Sequence, residues 1–74
     1  MINPRARKPP YLQVADILTA RIESGELPKE ERLPSEQELM SEFEIGRSTA
    51  RRAVGVLRDL GLVETVPTRG TYVL

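Results

Sequence analysis

The sequence predicts a mainly α-helical fold with a small β-hairpin, in which three helices precede a wing: a winged helix-turn-helix. Apolar residues recur at helical spacing in three segments, and only a short turn separates the second segment from the third. The end of the chain is rich in β-branched and aromatic residues around a Pro-Thr-Arg-Gly turn, which is typical of a hairpin. We expect one domain over residues 10–74, with the helix-turn-helix at about 36–55 and the wing at about 62–74.

Composition excludes several classes of function. The chain has 74 residues and contains no Cys and no His, so disulfides, thiolate metal sites and the commonest general base are all missing. We therefore expect no catalytic residue, no bound metal and no cofactor. No apolar run approaches the roughly 18 residues of a membrane span, and the N-terminus lacks the apolar core of a signal peptide. These absences predict a cytoplasmic protein.

The first residues of the chain differ from the rest. Residues 1–9 carry three basic side chains among prolines and show no apolar period, which predicts a flexible basic arm; a tail without function is the alternative. From Pro10 the pattern becomes helical, and it ends at Ser24 because Gly25 can take a positive φ. The apolar positions of this first helix are Tyr11, Val14, Ile17, Leu18 and Ile22.

The second helix has the clearest start signal. Two prolines prevent the preceding connection from being helical, and Arg32-Leu33 within it is short enough for an edge strand. The Ser35 hydroxyl can accept from the Glu38 amide while the Glu38 carboxylate reaches back, which forms a capping box. Glu36 also suits the positive end of the helix dipole. The apolar stripe of this helix is Leu39, Met40 and Phe43, and the turn after it is Glu44-Ile45-Gly46.

The third helix is predicted from Arg47 to about Leu60, and Gly61 ends it. A helical wheel gives it an apolar half for the core and a polar half that holds most of its arginines. The strands of the hairpin that follows are expected at residues 62–66 and 71–74. The apolar half of the helix holds Ala50, Ala53, Val54 and Leu57; the polar half holds Ser48, Arg51, Arg52, Gly55 and Asp59, with Arg47 and Arg58 at its margin.

Arg47 and Arg51 are the leading candidates for contact with DNA. They lie one turn apart at the start of the third helix, which is the helix that enters the major groove in a helix-turn-helix. A guanidinium can bond the O6 and N7 atoms of guanine or bridge two phosphates. An ordinary solvated helix face is the alternative, but this face carries few acids between Arg47 and Arg58.

Three neighbours extend this candidate site. Ser48 and Thr49 can donate to phosphate oxygens from the first turn or serve as helix caps, and the two roles are compatible. Arg52 lies further round the helix, where a phosphate contact and a surface ion pair are equally expected.

The predicted hairpin tip supplies a second group of candidates. Arg69-Gly70-Thr71 places a cation beside a residue that permits close approach to the sugar-phosphate chain, so Arg69 is positioned to enter the minor groove. If the third helix does not lie in a groove, Gly70 only serves the turn and Arg69 is merely solvated.

Net charge does not by itself favour a nucleic-acid binder. Eleven basic residues balance eleven acidic ones, whereas such proteins are usually basic. The charges are segregated, with eight carboxylates between Glu23 and Glu44 and most cations before or after them. The alternative function is a winged-helix module for protein contacts, which docks through this acidic belt or through Val56, a residue that projects away from the predicted core.

Several motifs occur in a fixed order along residues 10–74. They are Pro10-Tyr11-Leu12-Gln13-Val14-Ala15, Gly25-Glu26-Leu27-Pro28, Leu33-Pro34-Ser35-Glu36-x-Glu38-Leu39, Arg47-Ser48-Thr49-x-Arg51, Gly61-Leu62-Val63 and Arg69-Gly70-Thr71-Tyr72-Val73. Together they resemble the DNA-binding domain of the GntR family of bacterial transcription regulators. The resemblance implies sequence-specific binding of double-stranded operator DNA by a homodimer, for repression of transcription. The contacts it implies are Gln37, Arg47, Ser48, Thr49, Arg51, Arg69 and Gly70.

The chain departs from the family pattern in ways that matter for binding. Gln37 stands where the family commonly has Arg, so a charged phosphate contact is lost or replaced by a weaker amide bond. Gly46 replaces a usual Ser, which removes a cap worth about a few tenths of a kcal/mol, and Gly55 replaces a better helix former. The family's second domain, which binds a metabolite and provides most of the dimer interface, is missing. We expect a domain cut from a longer regulator rather than a natural miniature, with no effector bound within this chain.

Overall fold

The computed structural model describes residues 2–74, and this range contains three helices and one hairpin. Helix α1 spans Pro10–Glu23, α2 spans Glu36–Phe43 and α3 spans Arg47–Asp59; strand β1 (Val63–Val66) pairs antiparallel with β2 (Gly70–Val73). The predicted winged helix-turn-helix is confirmed. Where a predicted end differs from the observed one, it does so by one residue. The strand pairing runs from residue 63 to residue 73, and three residues predicted as helical are caps: Ser24, Ser35 and Leu60.

Helix α3 lies at the centre of the core. Ala50, Ala53 and Leu57 are fully buried and Val54 nearly so, as the apolar half of the predicted wheel requires. Helix α1 packs along α3, and α2 and β1 also contact it. Val56 is half-buried and lies outside this core. The side chains that complete the core around α3 are Val14, Leu18, Leu33, Leu39, Phe43 and Val63.

The predicted capping box fixes the start of α2. Ser35 Oγ accepts from the Glu38 amide at 3.1 Å, and Glu38 Oε1 accepts from the Ser35 amide at 2.8 Å. The hydrogen bond from the Ser35 backbone is the main cause that holds the pKa of Glu38 below its usual value. After α2, Glu44 adopts a left-handed conformation with a φ of 53°, and α3 begins after Gly46. The direction of α3 therefore depends on this short turn.

The connection between α1 and α2 is joined to the wing. The predicted edge strand at Arg32-Leu33 is present as a single antiparallel bridge between Arg32 and Tyr72. The Leu33 amide donates to the Thr71 carbonyl at 2.8 Å, and the Val73 amide donates to the Glu31 carbonyl at 2.9 Å. These bonds hold the wing next to the start of α2.

Residues 2–8 lie against α1 in the structure. The Gln13 side chain accepts from the Asn3 amide at 2.8 Å and donates to the Asn3 and Lys8 carbonyls at 2.7 and 2.8 Å. Ile2 packs against the core. The arm thus has a defined path along the first helix, and its flexibility stays a prediction. Along residues 2–74, no helix combines the length and the apolar character needed to cross a membrane.

Gly55 is a position where the fold can be stabilised. A Cβ there would meet nothing within 4 Å, and alanine restricts the unfolded chain more than glycine does. Gly55→Ala should therefore raise the free energy of unfolding by about 1 kcal/mol. Gly61→Ala is the matched control, because the space around it is equally open but its φ of +76° disfavours alanine, so we expect a loss of stability. Urea unfolding measures both; a destabilised Gly55→Ala would contradict the packing described for α3.

Candidate nucleic-acid interface

The two arginines at the start of α3 meet at one carboxylate. Arg51 Nε donates to Glu36 Oε2 at 2.8 Å, and Arg47 Nη1 donates to Glu36 Oε1 at 3.1 Å. Glu36 is the first residue of α2, so these ion pairs join the starts of the two helices of the helix-turn-helix. The side chains of Arg47 and Arg51 are still 51% and 65% exposed. We call Arg47 and Arg51 the braced arginines, because Glu36 holds both of them while each stays open to solvent.

The bonds to Glu36 leave most of each guanidinium available. A guanidinium carries five N–H donors in a planar fork. Arg51 donates to Glu36 through Nε, so the edge formed by its two terminal nitrogens keeps the parallel donors that a guanine or a phosphate accepts. Glu36 therefore orients Arg51 without occupying that edge.

Sequence reasoning missed the role of Glu36. The sequence patterns assign Glu36 to the dipole of the second helix and to the acidic belt between Glu23 and Glu44, and neither assignment predicts its contact with the arginines. The sequence signal was an acid at the first position of α2 and two arginines in the first two turns of α3. Their separation depends on how the two helices cross, and apolar periodicity does not define that crossing.

Arg52 lies about 100° further round α3 than Arg51, on the side toward α1. Its guanidinium carbon lies 3.9 Å from the centroid of the Tyr11 ring, which is a cation–π contact. The expected surface ion pair is not formed, since no carboxylate within residues 2–74 lies at ion-pair distance from Arg52. Its contact with DNA stays a prediction.

The hydroxyls at the start of α3 differ in exposure. Ser48 is exposed, whereas Thr49 is half-buried in a cleft beside Ile2 and Pro4. The capping position belongs to Gly46 and to neither hydroxyl. Gln37 is exposed at the start of α2. The phosphate contacts of these residues stay predictions.

The wing carries Arg69 on an exposed turn, and Gly70 follows it with a φ of +131°. This φ favours glycine. A Cβ at Gly70 would lie 2.9 Å from Arg32 Nε, so any other residue here would also displace the Arg32 side chain. Thr71 Oγ1 lies 3.1 Å from Thr65 Oγ1. Thr65 and Thr71 lie on the same face of the hairpin as Val63 and Val73, which are buried in the core.

An open cleft of about 460 Å³ separates α3 from the wing. Its two long walls come from one face of α3 and one face of the hairpin, and residues 32–36 close one end. Of the predicted site, Arg51, Gly70 and Thr71 line this cleft, whereas Thr49 and Arg52 lie toward α1 and the N-terminal arm. The wall on α3 is Arg51, Val54 and Arg58, and the wall on the wing is Thr65, Gly70 and Thr71.

The arginine pair lowers the pKa of the Glu36 carboxyl from its usual value of 4.5, chiefly through the hydrogen bond from Arg51 and to a smaller degree through Arg47. A pKa lowered by folding means that Glu36 stabilises the fold above its unfolded-state pKa. That contribution is lost as pH falls through the folded-state pKa. We expect Arg51→Ala to raise the pKa of Glu36 more than Arg47→Ala does. An NMR titration of the carboxyl carbon measures both shifts, and a larger shift in Arg47→Ala would contradict the assigned order.

Comparison with known proteins agrees with this architecture. The structure superimposes on a crystal structure of AraR(DBD) in complex with operator ORX1 with a TM-score of 0.91 and 33% identity, covering 100% of this chain and 92% of that one. The chain is 39% identical over 72 residues to the HTH-type transcriptional repressor NagR of Bacillus subtilis (strain 168). It is also 39% identical over 66 residues to the mannosyl-D-glycerate transport/metabolism system repressor MngR of Escherichia coli (strain K12).

The matches to NagR and MngR cover most of this chain but only part of each relative. They cover 97% and 89% of this chain but 30% and 28% of NagR and MngR, so the chain spans less than a third of either relative. The family model for bacterial regulatory proteins of the gntR family matches residues 10–73. The resemblance drawn from the motifs is thereby confirmed, and the chain belongs to the gntR family of bacterial regulatory proteins.

Proposed function

We propose that this chain is a sequence-specific DNA-binding domain that represses transcription by occupying a palindromic operator. The observation that carries the proposal is the pair formed by Arg47 and Arg51, braced by Glu36 and exposed at the start of α3. Two relatives named as repressors and a structural neighbour bound to an operator support it.

In this proposal the first turns of α3 lie in the major groove. Arg47 and Arg51 contact base edges or the phosphates beside them, and Arg51 presents the free edge of its guanidinium. The wing places Arg69 at the minor groove, with Gly70 and Thr71 close to the sugar-phosphate chain. Smaller phosphate contacts come from the remaining predicted residues, Gln37, Ser48, Thr49 and Arg52.

A palindromic operator contains two symmetric half-sites, so a protein that binds both in the same way must itself be symmetric. We propose that two copies of the domain bind as a homodimer, since the symmetry of an operator mirrors that of the protein. The site of action is the cytoplasm, where a bacterial regulator meets the chromosome.

Selection of binding sites from a pool of random duplex DNA, followed by titration at several salt concentrations, tests this function. We expect a symmetric consensus and an affinity that falls log-linearly as salt rises, because binding releases counterions from the phosphates. If the chain binds no duplex even at low salt, the proposal is wrong. The acidic belt from Glu23 to Glu44 would then be the surface to examine for protein contacts.

Replacing Arg51 and Arg69 separately should distinguish base reading from phosphate contact. Arg51→Ala should weaken binding to the selected site by about 1–3 kcal/mol and reduce the preference for that site over an unrelated duplex. Arg69→Ala should weaken binding to both duplexes by a similar factor. Fluorescence anisotropy with the two duplexes measures both effects. An Arg51→Ala variant with unchanged affinity and preference would show that α3 does not read the bases as assigned.

Glu36→Gln should separate the orienting effect of this residue from its charge. The removal of one negative charge should tighten binding to an unrelated duplex, whereas the loss of the ion pairs should let Arg51 move and reduce the preference for the selected site. Glu23→Gln is the matched control, because it makes the same charge change at the end of α1, away from the arginine pair. The control should keep the preference of the wild-type chain. If Glu36→Gln also kept the wild-type preference for the selected site, the ion pairs of Glu36 would not be what orients Arg51.

A further inference from the structure

We propose that the cleft between α3 and the wing binds a phosphate of the DNA backbone, and that Arg32 is the main ligand of this phosphate. Neither the motifs nor the predicted site included Arg32 or Arg58. The inference rests on the proposed DNA-binding function, which supplies the ligand, and adds to it a contact made from outside the helix-turn-helix.

The position of the Arg32 side chain is the first observation. Its Nε lies 2.9 Å, and its Cδ and Cζ 3.6 Å, from the point that a Cβ on Gly70 would occupy. The side chain therefore lies along the backbone of the wing. The Arg32 backbone is held on the same strand by its bridge to Tyr72. Because the bridge holds the Arg32 backbone and the side chain already lies over Gly70, the arginine is at the cleft before an anion binds.

The charge of the cleft is the second observation. Three arginines line it, Arg32, Arg51 and Arg58, together with one acid, Glu36. Glu36 is already shared by two arginines of α3. Within residues 2–74, neither Arg32 nor Arg58 has a carboxylate at ion-pair distance. Glu38 is near enough for Arg32 to contribute, as the smallest cause, to its lowered pKa, but its carboxylate already accepts a hydrogen bond from the Ser35 amide in the capping box.

The cleft also offers neutral donors for phosphate oxygens. Ser35, Thr65 and Thr71 line it along with the arginines. The Thr65 and Thr71 hydroxyls are hydrogen-bonded to each other, which leaves one of their two protons for a ligand, and hydroxyls beside cations are common phosphate ligands in DNA complexes. Three cations with hydroxyl groups beside them fit an anion with several acceptor oxygens, such as a phosphate, and do not fit an apolar ligand.

The location of the cleft identifies the source of the phosphate. One of its walls is α3, which is assigned to the major groove, and the other is the wing, which is assigned to the minor groove. Adjacent major and minor grooves are separated by a sugar-phosphate strand, so that strand has to pass between the two walls. A free phosphate ion shares the same chemistry, and the experiment below separates the two sources.

The test uses two substitutions at Arg32 and one control. Arg32→Met keeps an unbranched stem across Gly70 and removes the charge, whereas Arg32→Lys keeps the charge. Lys29→Met removes one charge from the same connection at a residue that does not line the cleft. Binding of each variant to the selected duplex and to an unrelated duplex is measured by anisotropy over a salt series, and thermal unfolding verifies that each variant is folded.

We expect Arg32→Met to weaken binding to both duplexes on the order of tenfold and to reduce the salt slope by about one. Arg32→Lys should keep the slope of the wild-type chain, and Lys29→Met should keep both its slope and its affinity. The double variant with Arg58→Met should lose about two units of slope, since two phosphate-facing charges are removed.

Three outcomes would overturn the inference while leaving DNA binding itself in place. The first is an Arg32→Met variant with the affinity and slope of the wild-type chain. The second is a loss confined to the selected duplex, since a phosphate contact does not discriminate sequence. The third is saturable binding of inorganic phosphate, observed at the Arg32 Nε–H resonance by NMR, with unchanged DNA binding by Arg32→Met. A wild-type chain that binds neither duplex would overturn the proposed function and this inference together.

Discussion

The fold depends on one constraint, which is that the thirteen residues of α3 fill the core and also present the cations. Ala50 and Ala53 are fully buried, and their small side chains let the neighbouring elements approach the helix closely. Successive residues are 100° apart on a helix, so burying this face turns Arg47 and Arg51 outward. Packing therefore decides the direction of the candidate interface, and a core substitution that rotates α3 would also rotate the arginines.

Core packing fixes the Cα positions of the arginines but not their guanidinium groups. An arginine side chain carries about 2 kcal/mol of rotamer entropy, and an interface that orders several of them on binding loses much of the affinity they supply. Each element around α3 reduces that loss differently. The carboxylate of Glu36 holds Arg51 and the ring of Tyr11 contacts Arg52, whereas the bridge to Tyr72 fixes the backbone of Arg32 next to the wing. The elements around α3 thus have two roles: they provide packing surfaces for the core, and they orient the exposed cations.

Local signals predicted nearly all of the secondary structure, because caps and apolar periodicity act within a few residues of one another. The capping box at Ser35 and the left-handed Gly61 are of this kind. The site was harder to predict because its parts come from different elements. Glu36 approaches α3 only through the crossing of two helices, and Arg32 reaches Gly70 only through the bridge to the wing. Helical spacing places Tyr11 in the apolar stripe of α1, but it does not show that the ring also contacts Arg52 of α3.

The neutral net charge of the chain is compatible with binding a polyanion, because screening makes charge a local property. The domain measures 34 × 25 × 20 Å, whereas the Debye length at physiological ionic strength is about 8 Å. An exposed acid on the far side of the domain therefore contributes little to the potential in the cleft beside Arg32. Two acids near the start of α3 are already engaged, Glu36 with two arginines and Glu38 within its capping box, whereas Glu64 lies beside Arg69 on the wing. Low net charge also weakens long-range attraction to DNA of any sequence, so the proposed function depends on direct contacts at Arg47 and Arg51.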